Sequence, residues 1–407
     1  MADRMTRRRF HQLAAAGAVS LALPRGRARA VTKGDPSGLE YSPAAPSPVA
    51  LAGVARGAEA EAATQAVRRV AEATTDFSWL SRGDTVLIKV VCNSGNDYPA
   101  TTDPRAVNAM VALLREKGAG RVIVGDMSGV QFVRFSKDRT SGSTRALMTG
   151  NGIAEAATDA GAEVVAFEEA GWDGFFEETP EDGPSWRGPL MLPNVLAEAD
   201  HVILMPRCSR HVLAGSTLGL KAAVGWWRHD SRLEYHHEAG TFSQKTAESN
   251  TLPSLLAKQR LVLSSATQVL TTFGPDEGYV AEPETGLVMA SPSVVAHDMV
   301  SLAWLLDNQQ TATPADARES VFDDPNQSEF MVNVLNRFLN IWLDGGITSP
   351  FTAQTLERYD MDTIWDDRVL ARAFEISGGV RRLDLAPIDD SVPPAVRARL
   401  ASATSLA

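Results

Sequence analysis

The stretch that decides the fold is "DTVLIKVVCNSGNDYPATTDPRAVNAMVALLREKGAGRVIVGD", residues 84–126. It begins with a continuous β-branched run and ends with a second apolar run, "RVIVGD". Runs of this kind are typical of strands that are buried on both faces of a sheet. The segment between them predicts a helix, with a Thr or Asp cap before Pro104 and a stop at Gly118. A strand, a helix and a second strand in this order predict two neighbouring parallel strands.

Strands and helices go on alternating after residue 126, through "GIAEAATDAGA", "EVVAF", "NVLAEAD" and "HVILMP". This alternation predicts an α/β fold with a mainly parallel sheet and helices on both faces. Right-handed crossovers bring the carboxyl ends of the parallel strands to one edge of the sheet, and ligands bind in the crevice at that edge. Three loops leave this edge, at residues 92–103, 126–150 and 207–217.

Four regions are predicted along the chain. Residues 1–30 are a signal peptide, and residues 31–47 are a linker rich in Pro, Gly and Ser. Residues 48–310 form the α/β domain. Residues 311–407 form a helical C-terminal extension that ends in a tail rich in Pro and Ala, and this tail is expected to be peripheral.

The first thirty residues predict export from the cytoplasm. Paired arginines and Phe10 stand in "TRRRFHQ" at residues 6–12, an apolar run follows at 13–23, and Ala-Arg-Ala at 28–30 fits a cleavage site. The segment resembles a twin-arginine signal, which implies the twin-arginine translocase as a transient partner and a periplasmic or secreted mature protein. The apolar run is too short to span a bilayer, and no later stretch reaches about eighteen apolar residues, so no stable membrane span is expected.

Charge and cysteine content exclude two classes of function. The chain has a formal net charge of −11, and removal of the arginine-rich residues 1–30 makes it more acidic, so nucleic acid is not an expected partner. Two cysteines, Cys92 and Cys208, are too few to hold an iron–sulfur cluster. In an oxidising compartment they pair in a disulfide or stay as two buried thiols, and the sequence leaves both alternatives open.

Four of the seven histidines stand in "RHVLAGSTLGLKAAVGWWRHDSRLEYHH", residues 210–237. His211 follows a predicted strand and suits general acid–base work, or it is an ordinary loop histidine. Lys221 lies in an apolar run, where burial lowers the pKa of a lysine and makes its amine a nucleophile; a lysine that reaches out to solvent is the alternative. Gly215 and Gly219 allow this loop to approach a ligand closely.

The end of the same stretch carries candidate metal ligands. His236 and His237, with Glu234 and Glu238 beside them, offer nitrogen and oxygen donors that suit a divalent metal. Adjacent residues of a regular element point to different sides, so one of the two histidines at most is expected to bind the metal. Chance clustering is the alternative.

Two further groups are candidates for the site. Lys89 is the one charge inside a buried strand and needs a partner, which Asp126 at a neighbouring strand end supplies as a site pair or as a structural ion pair. A basic loop, "RFSKDRTSGSTR", is expected to bind a phosphate or carboxylate or to be merely solvated. Its positive charges are Arg134, Lys137, Arg139 and Arg145.

The order and spacing of several motifs resemble the domain of unknown function 362 family. They are "VLIK…N", "TDP…V…L…KGA…VIVGD", "AD…I…P…H…G…LKAAVG…H", "GP…G" and "S…VAHDMVS", between about residues 49 and 306. Many family members carry an iron–sulfur ferredoxin module, which this chain lacks. The family's Lys-x-Lys-Thr-His is "RCSRH" here, so His211 is the one unchanged residue. The family's Lys-Asn is Lys221-Ala222, and its Asp-Gly before "GP" is Thr272-Phe273.

A second resemblance concerns "HVLAGSTLGLKAAVG…H", which is similar to the core motif of nickel-pincer lactate racemase. The resemblance implies that Lys221 tethers the pincer cofactor, that His237 ligates nickel and that His211 moves a proton. The racemase has a further catalytic His after a strand like "RVIVGD", and here Asp126 or Met127 stands in its place.

Two functions follow from these features. The first is a metal- or cofactor-assisted enzyme that acts on a small anionic substrate, with His211, Asp126 and Lys89 as catalytic residues. The second is a non-catalytic periplasmic protein that binds a small-molecule ligand in the same crevice. Substitutions such as "RCSRH" favour the second function.

The export hypothesis makes a direct prediction. Replacing Arg7 and Arg8 together by lysine should leave the precursor in the cytoplasm, because the twin-arginine route reads the arginine pair. Fractionation of the native host and immunoblotting would reveal this as uncleaved protein in the cytoplasmic fraction. Normal export of the double variant would contradict twin-arginine routing.

Overall fold

A computed structural model describes residues 36–319, 328–343 and 345–406; the predicted signal peptide lies outside the described residues. Its centre is an eight-stranded sheet with the spatial order β16-β1-β15-β12-β9-β2-β3-β6. These strands are β1 (Ser47–Ala55), β2 (Thr85–Val90), β3 (Arg121–Asp126), β6 (Glu163–Ala166), β9 (His201–Met205), β12 (Gln259–Ala266), β15 (Thr285–Ser291) and β16 (Leu383–Pro387).

Every neighbouring pair in this sheet is parallel except the two pairs that involve β15. The mainly parallel sheet predicted from the sequence is therefore confirmed. Lys89 of β2 is in register with Gly125 of β3 on one side and with Leu204 of β9 on the other. The carboxyl ends of these three strands meet at one edge.

Eight short strands form smaller sheets. β10, β11, β13 and β14 make a four-stranded sheet, and β4 with β5 and β7 with β8 make two hairpins. Their bounds are β4 (Arg134–Phe135), β5 (Thr140–Ser141), β7 (Phe175–Glu178), β8 (Leu190–Pro193), β10 (Ser209–His211), β11 (Gly215–Thr217), β13 (Val269–Leu270) and β14 (Val280–Ala281).

Helices cover both faces of the central sheet, as predicted. The α-helices among the described residues are α1 (Ala60–Thr74), α2 (Pro104–Glu116), α3 (Thr144–Gly150), α4 (Ile153–Asp159), α5 (Asn194–Glu198), α6 (Gly219–Ala222), α7 (His229–His237), α8 (Phe242–Glu248), α9 (Pro253–Lys258), α10 (Val294–Thr311), α11 (Ala315–Glu319), α12 (Glu329–Trp342), α13 (Ser349–Thr352), α14 (Arg368–Ile376) and α15 (Pro394–Thr404). None of them is long and apolar enough to cross a bilayer.

The alternation of side chains along β2 divides the core. Val86, Ile88 and Val90 pack with α1, α2 and α4 on one face. Leu87 packs on the other face with the aromatic side chains of the segment around α7 and α8. Lys89 has the same parity as Leu87, so its side chain enters this second, aromatic layer.

Two local features test the predicted boundaries. The start of α2 is as predicted, since the Asp103 carboxylate accepts a hydrogen bond from the Arg105 amide and Pro104 occupies the first turn. The tail beyond residue 380 was expected to be peripheral, but it supplies β16, which pairs with β1 in the central sheet. Val380 and Val392 on either side of β16 are fully buried.

Candidate functional site

One cavity of about 620 Å³ opens at the carboxyl ends of the parallel strands. Its volume lies in the range of small-ligand sites, and its position is the edge that the sequence predicted. Eight charged or titratable side chains line it: Lys89, Asp126, His211, Lys221, Arg232, His236, Asp276 and Glu277. Five of these eight were candidates from the sequence, and Arg232, Asp276 and Glu277 were not.

Lys89 and Asp126 form a buried ion pair at the base of the cavity. Their Nζ and Oδ1 atoms lie 2.8 Å apart, and both side chains are almost fully buried. Lys89 Nζ donates a second hydrogen bond to the Val90 carbonyl, and Asp126 Oδ2 accepts one from the Cys92 amide. Burial lowers the pKa of Lys89, and the Asp126 carboxylate opposes that shift.

The turn after α6 packs directly over this ion pair. A Cβ atom at Gly225 would lie 2.2 Å from Asp126 Oδ1 and 2.4 Å from Lys89 Nζ, so a side chain does not fit there. The next residue, Trp226, stacks on Phe167 with 5.5 Å between the ring centroids. Lys89 Nζ lies 5.7 Å from the centroid of the Trp226 ring. The segment that follows Lys221 is thereby fixed against the strand ends.

Arg232 of α7 holds the loop after β3 by hydrogen bonds to carbonyl groups. It donates to the Ser128, Met127 and Trp227 carbonyls at 2.6, 2.8 and 2.9 Å. No carboxylate among the described residues pairs with it, and burial lowers its pKa to about 10. Arg232 therefore brings a positive charge to the cavity wall, and backbone carbonyl groups stabilise this charge.

Lys221 presents its amine to the cavity from α6. Nζ lies 5.8 Å from the ring of Tyr235 and 5.9 Å from the ring of Phe242. Within the described part of the chain no carboxylate forms an ion pair with it. Burial, followed by the positive charges of Arg207, Arg232 and Lys89, lowers the pKa of Lys221 to about 7.

Asp298 of α10 fixes the backbone that carries Lys221. Its two carboxylate oxygens accept hydrogen bonds from the Gly219 and Leu220 amides at 2.8 and 2.7 Å, at the start of α6. His297 Nδ1 lies 2.8 Å from Asp298 Oδ1, and His297 Nε2 lies 2.8 Å from the Ser264 hydroxyl. These three hydrogen-bonded side chains are buried and do not line the cavity, so their role is to position α6.

His211 is a neutral imidazole in the cavity wall. Its Nδ1 accepts hydrogen bonds from the Leu213 and Ala214 amides at 3.0 and 3.2 Å, so the neutral ring carries its proton on Nε2. Burial, followed by the charges of Lys221 and Arg207, holds the pKa of His211 well below its usual range.

His236 connects the cavity to α12. Its Nδ1 lies 2.8 Å from Asn336 Oδ1, while Asn336 Nδ2 donates to the His236 carbonyl at 2.9 Å and Asn340 donates to the same carbonyl. Burial lowers the pKa of His236 to about 3, so the ring is neutral and donates from Nδ1 to Asn336. His236 thus holds α12 in place.

The structure corrects the placement of three predicted site residues. His237 does not line the cavity, because neighbouring side chains of a helix differ by about 100° in direction; its Nε2 lies 3.0 Å from the Thr352 hydroxyl instead. Gly215 and Gly219 also lie outside the cavity lining. Gly215 has a positive φ of 80°, and a Cβ atom at Gly219 would lie 2.8 Å from Asp298 Oδ1, so both glycines serve the backbone.

The predicted metal centre does not match the donors that are present. Over residues 36–319, 328–343 and 345–406, no three His, Cys, Asp or Glu side chains cluster as they would around a metal ion. Glu234 and Glu238 both pair with the buried Lys245, at 2.8 and 2.6 Å. His237, the nickel ligand that the racemase resemblance implied, does not share the cavity with Lys221.

Three polar residues near the cavity were not found from the sequence. Arg207 is fully buried after β9, and none of its guanidinium nitrogens has a hydrogen-bond partner among the described residues. The Thr217 hydroxyl and Asp276 Oδ1 line the cavity and also have no partner there. Burial lowers the pKa of Arg207 to about 10 and raises the pKa of Asp276.

The roof of the cavity is apolar and comes from α12. The sequence predicted a helical C-terminal extension, but it did not predict the contact of α12 with the cavity. Asn333, Asn336 and Asn340 lie on the face of α12 that packs on the protein, and each donates a hydrogen bond to a backbone carbonyl there. The side chains that it turns to the cavity are Val334, Leu335, Phe338, Leu339 and Trp342.

Neither cysteine lines the cavity, and the basic loop reaches it with Gly142 and Ser143 and not with its charged side chains. Cys92 and Cys208 are both free and buried, so the alternative of two thiols holds, and burial raises the pKa of each thiol. In the basic loop, Arg145 pairs with Glu169 at 2.6 Å on the surface, and Arg134 stacks 5.5 Å from the ring of Trp342. Neither arginine enters the cavity.

The chain belongs to the family described as "Domain of unknown function (DUF362)", whose model matches residues 86–303, more than half of the chain. No curated protein matches the chain. The matched residues include Lys89, Asp126, His211 and Lys221, while α12 lies beyond them.

Two solved structures resemble this chain, with low sequence identity and low TM-scores. The lactate racemase apoprotein from Thermoanaerobacterium thermosaccharolyticum is 13% identical with a TM-score of 0.35, over 61% of this chain and 55% of that chain. A protein from Thermotoga maritima is 10% identical with a TM-score of 0.37, over 62% of this chain and 59% of that chain. The chain thus spans less than two thirds of either protein, and values this low assign it no ligand and no activity.

The ion pair at the base of the cavity makes a stability prediction. Asp126→Asn should lower the free energy of unfolding by about 3 kcal/mol, because Lys89 would lose the carboxylate that compensates its buried charge. Urea unfolding of the mature protein measures the change. Glu163→Gln is the control, since it breaks an exposed ion pair with Arg121 and should cost less than about 1 kcal/mol. Equal losses in both variants would contradict the role given to the buried pair.

Proposed function

We propose that this DUF362-family protein binds a small organic anion that carries an apolar group. The observation that carries the proposal is Lys221, which lines the cavity with positive neighbours and forms no ion pair with a carboxylate among the described residues. An anionic ligand supplies the missing opposite charge. Of the two functions considered from the sequence, this is the ligand-binding one.

The charges around the cavity support an anion. Lys89 is compensated by Asp126, and the carboxylates of Asp276 and Asp126 partly offset the charge of Arg207. Lys221, Arg207 and Arg232 form what we call the cationic cluster. Arg207 and Arg232 both lower the pKa of Lys221, as like charges do in a medium of low dielectric constant. A ligand carboxylate in this place relieves their mutual repulsion.

The apolar roof supports a ligand with a hydrophobic part. Phe338, Leu339 and Trp342 of α12 face the cavity opposite the cationic cluster. Each apolar group that they remove from water contributes on the order of 25 cal/mol per Å² of buried area. A carboxylate with an aromatic or branched aliphatic substituent matches both halves of the cavity. If the protein is exported as proposed, it meets this ligand outside the cytoplasm.

The proposal predicts a coupling between binding and proton uptake. Because the pKa of Lys221 is about 7, about half of the molecules carry a neutral amine at pH 7, and an anion favours the protonated form. Binding of phenylacetate at pH 7 should therefore take up roughly half a proton. Calorimetry in buffers with different ionisation enthalpies measures this number.

Three variants make the test specific. Lys221→Met should weaken phenylacetate binding about tenfold or more, because it removes a charged partner worth roughly 1.5–3 kcal/mol. Lys221→Arg keeps the charge and should bind without proton uptake. Lys117→Met, which removes an exposed lysine paired with Glu72, should behave like the unchanged protein. Unchanged binding and uptake in Lys221→Met would rule out the proposed site.

A further inference from the structure

We propose that Lys221 forms a covalent imine with its ligand, and that the ligand is a 2-oxo acid with an apolar substituent. This inference rests on the proposed function and adds a reaction to it. The proposal follows from the position of the Lys221 amine and from three polar groups that share its cavity: Thr217, His211 and Asp276.

The amine of Lys221 is held where it can react. Nζ lies near the stacked rings of Tyr235 and Phe242, and Lys221 lines the cavity from a helix whose first amides are fixed by Asp298. A lysine amine attacks a carbonyl carbon only in its neutral form, which an ion pair with a carboxylate would suppress. No such ion pair exists within the described residues, and the pKa of Lys221 of about 7 leaves a large neutral fraction at neutral pH.

Two hydrogen-bond donors line the same cavity as the amine. The Thr217 hydroxyl is buried in the cavity wall, four residues before Lys221, and has no hydrogen-bond partner among the described residues. The His211 ring carries its proton on Nε2, since Nδ1 is occupied by two backbone amides. Both can donate to an oxygen that gains negative charge when the amine attacks.

The reaction balances without any further reagent. Nζ forms a bond to the carbonyl carbon, and the electron pair of the C=O π bond moves to the oxygen, which takes up a proton. The nitrogen of the resulting carbinolamine then gives up its remaining proton. The hydroxyl group leaves as water with this proton, and a C=N bond forms. Protonation of the imine nitrogen then restores the positive charge that Lys221 carried as an ammonium.

The same groups favour a ligand that carries a carboxylate next to its carbonyl group. An iminium carbon beside a carboxylate places opposite charges next to each other, and Arg207 and Arg232 add positive charge on the protein side. Asp276, whose pKa is raised by burial and whose Oδ1 has no partner in the described part, lines the same cavity. A 2-oxo acid meets these requirements, and its substituent contacts the apolar side chains of α12.

Reductive trapping tests the proposal. The mature protein is incubated at pH 7 with phenylpyruvate and sodium cyanoborohydride, which reduces an imine to a stable secondary amine. Intact-mass measurement should find one adduct per chain, and peptide mapping should place it on Lys221. Lys221→Arg should lose the adduct while it keeps the circular dichroism of the parent protein, and Lys117→Arg should keep the adduct. Phenylacetate, which has no reactive carbonyl group, should slow trapping by competition.

The outcomes separate this inference from the function on which it rests. Binding of phenylacetate with proton uptake but no adduct on Lys221 would overturn the imine and leave the anion site intact. Adducts scattered over several lysines, or retained in Lys221→Arg, would also overturn it. If phenylacetate does not bind and no adduct forms, both proposals are overturned.

Discussion

The structure of the site depends on one buried ion pair, between Lys89 and Asp126. A charge inside a parallel sheet is tolerated only with a partner at short distance, and here the partner stands at the end of the adjacent strand. The pair joins β2 to β3, orders the Cys92 amide and leaves no room for a side chain at Gly225. The tight turn that follows α6 packs over this pair, and Lys221 stands just before that turn on a helix fixed by Asp298.

The second consequence of this arrangement is an excess of positive charge in an enclosed place. Arg207 and Arg232 are both buried, Arg232 is held by carbonyl groups, and the charges of both reach Lys221 through a medium that screens little. A lysine in such surroundings yields its proton easily, so the same residue can compensate an anion or act as an amine. The apolar roof from α12 adds hydrophobic surface to the same cavity. Charge, amine and apolar surface together define the kind of ligand that fits.

The fold was largely predictable because it follows from local patterns, and the site was predictable only where it lies on those patterns. Lys89 and Asp126 end two buried strands, so the parallel sheet brings them together whatever the rest of the chain does. His236 and His237 could not be told apart, because the phase of α7 depends on its packing against α12. Arg207, Asp276 and Phe338 were missed for a similar reason. Their contribution depends on contacts between segments far apart in the sequence, and no spacing in the chain encodes these contacts.

The central claim is that an anion site surrounds the amine of Lys221, and its protonation equilibrium is the most direct measure of that claim. The chain has only seven lysines, so labelling with [ε-¹³C]lysine and comparison with Lys221→Arg should assign its resonance. A pH titration by NMR should give a pKa of about 7 in the ligand-free protein, and saturation with phenylacetate should raise it, because a bound anion stabilises the ammonium form. A pKa at the ordinary value of an exposed lysine, unchanged by phenylacetate, would contradict the account.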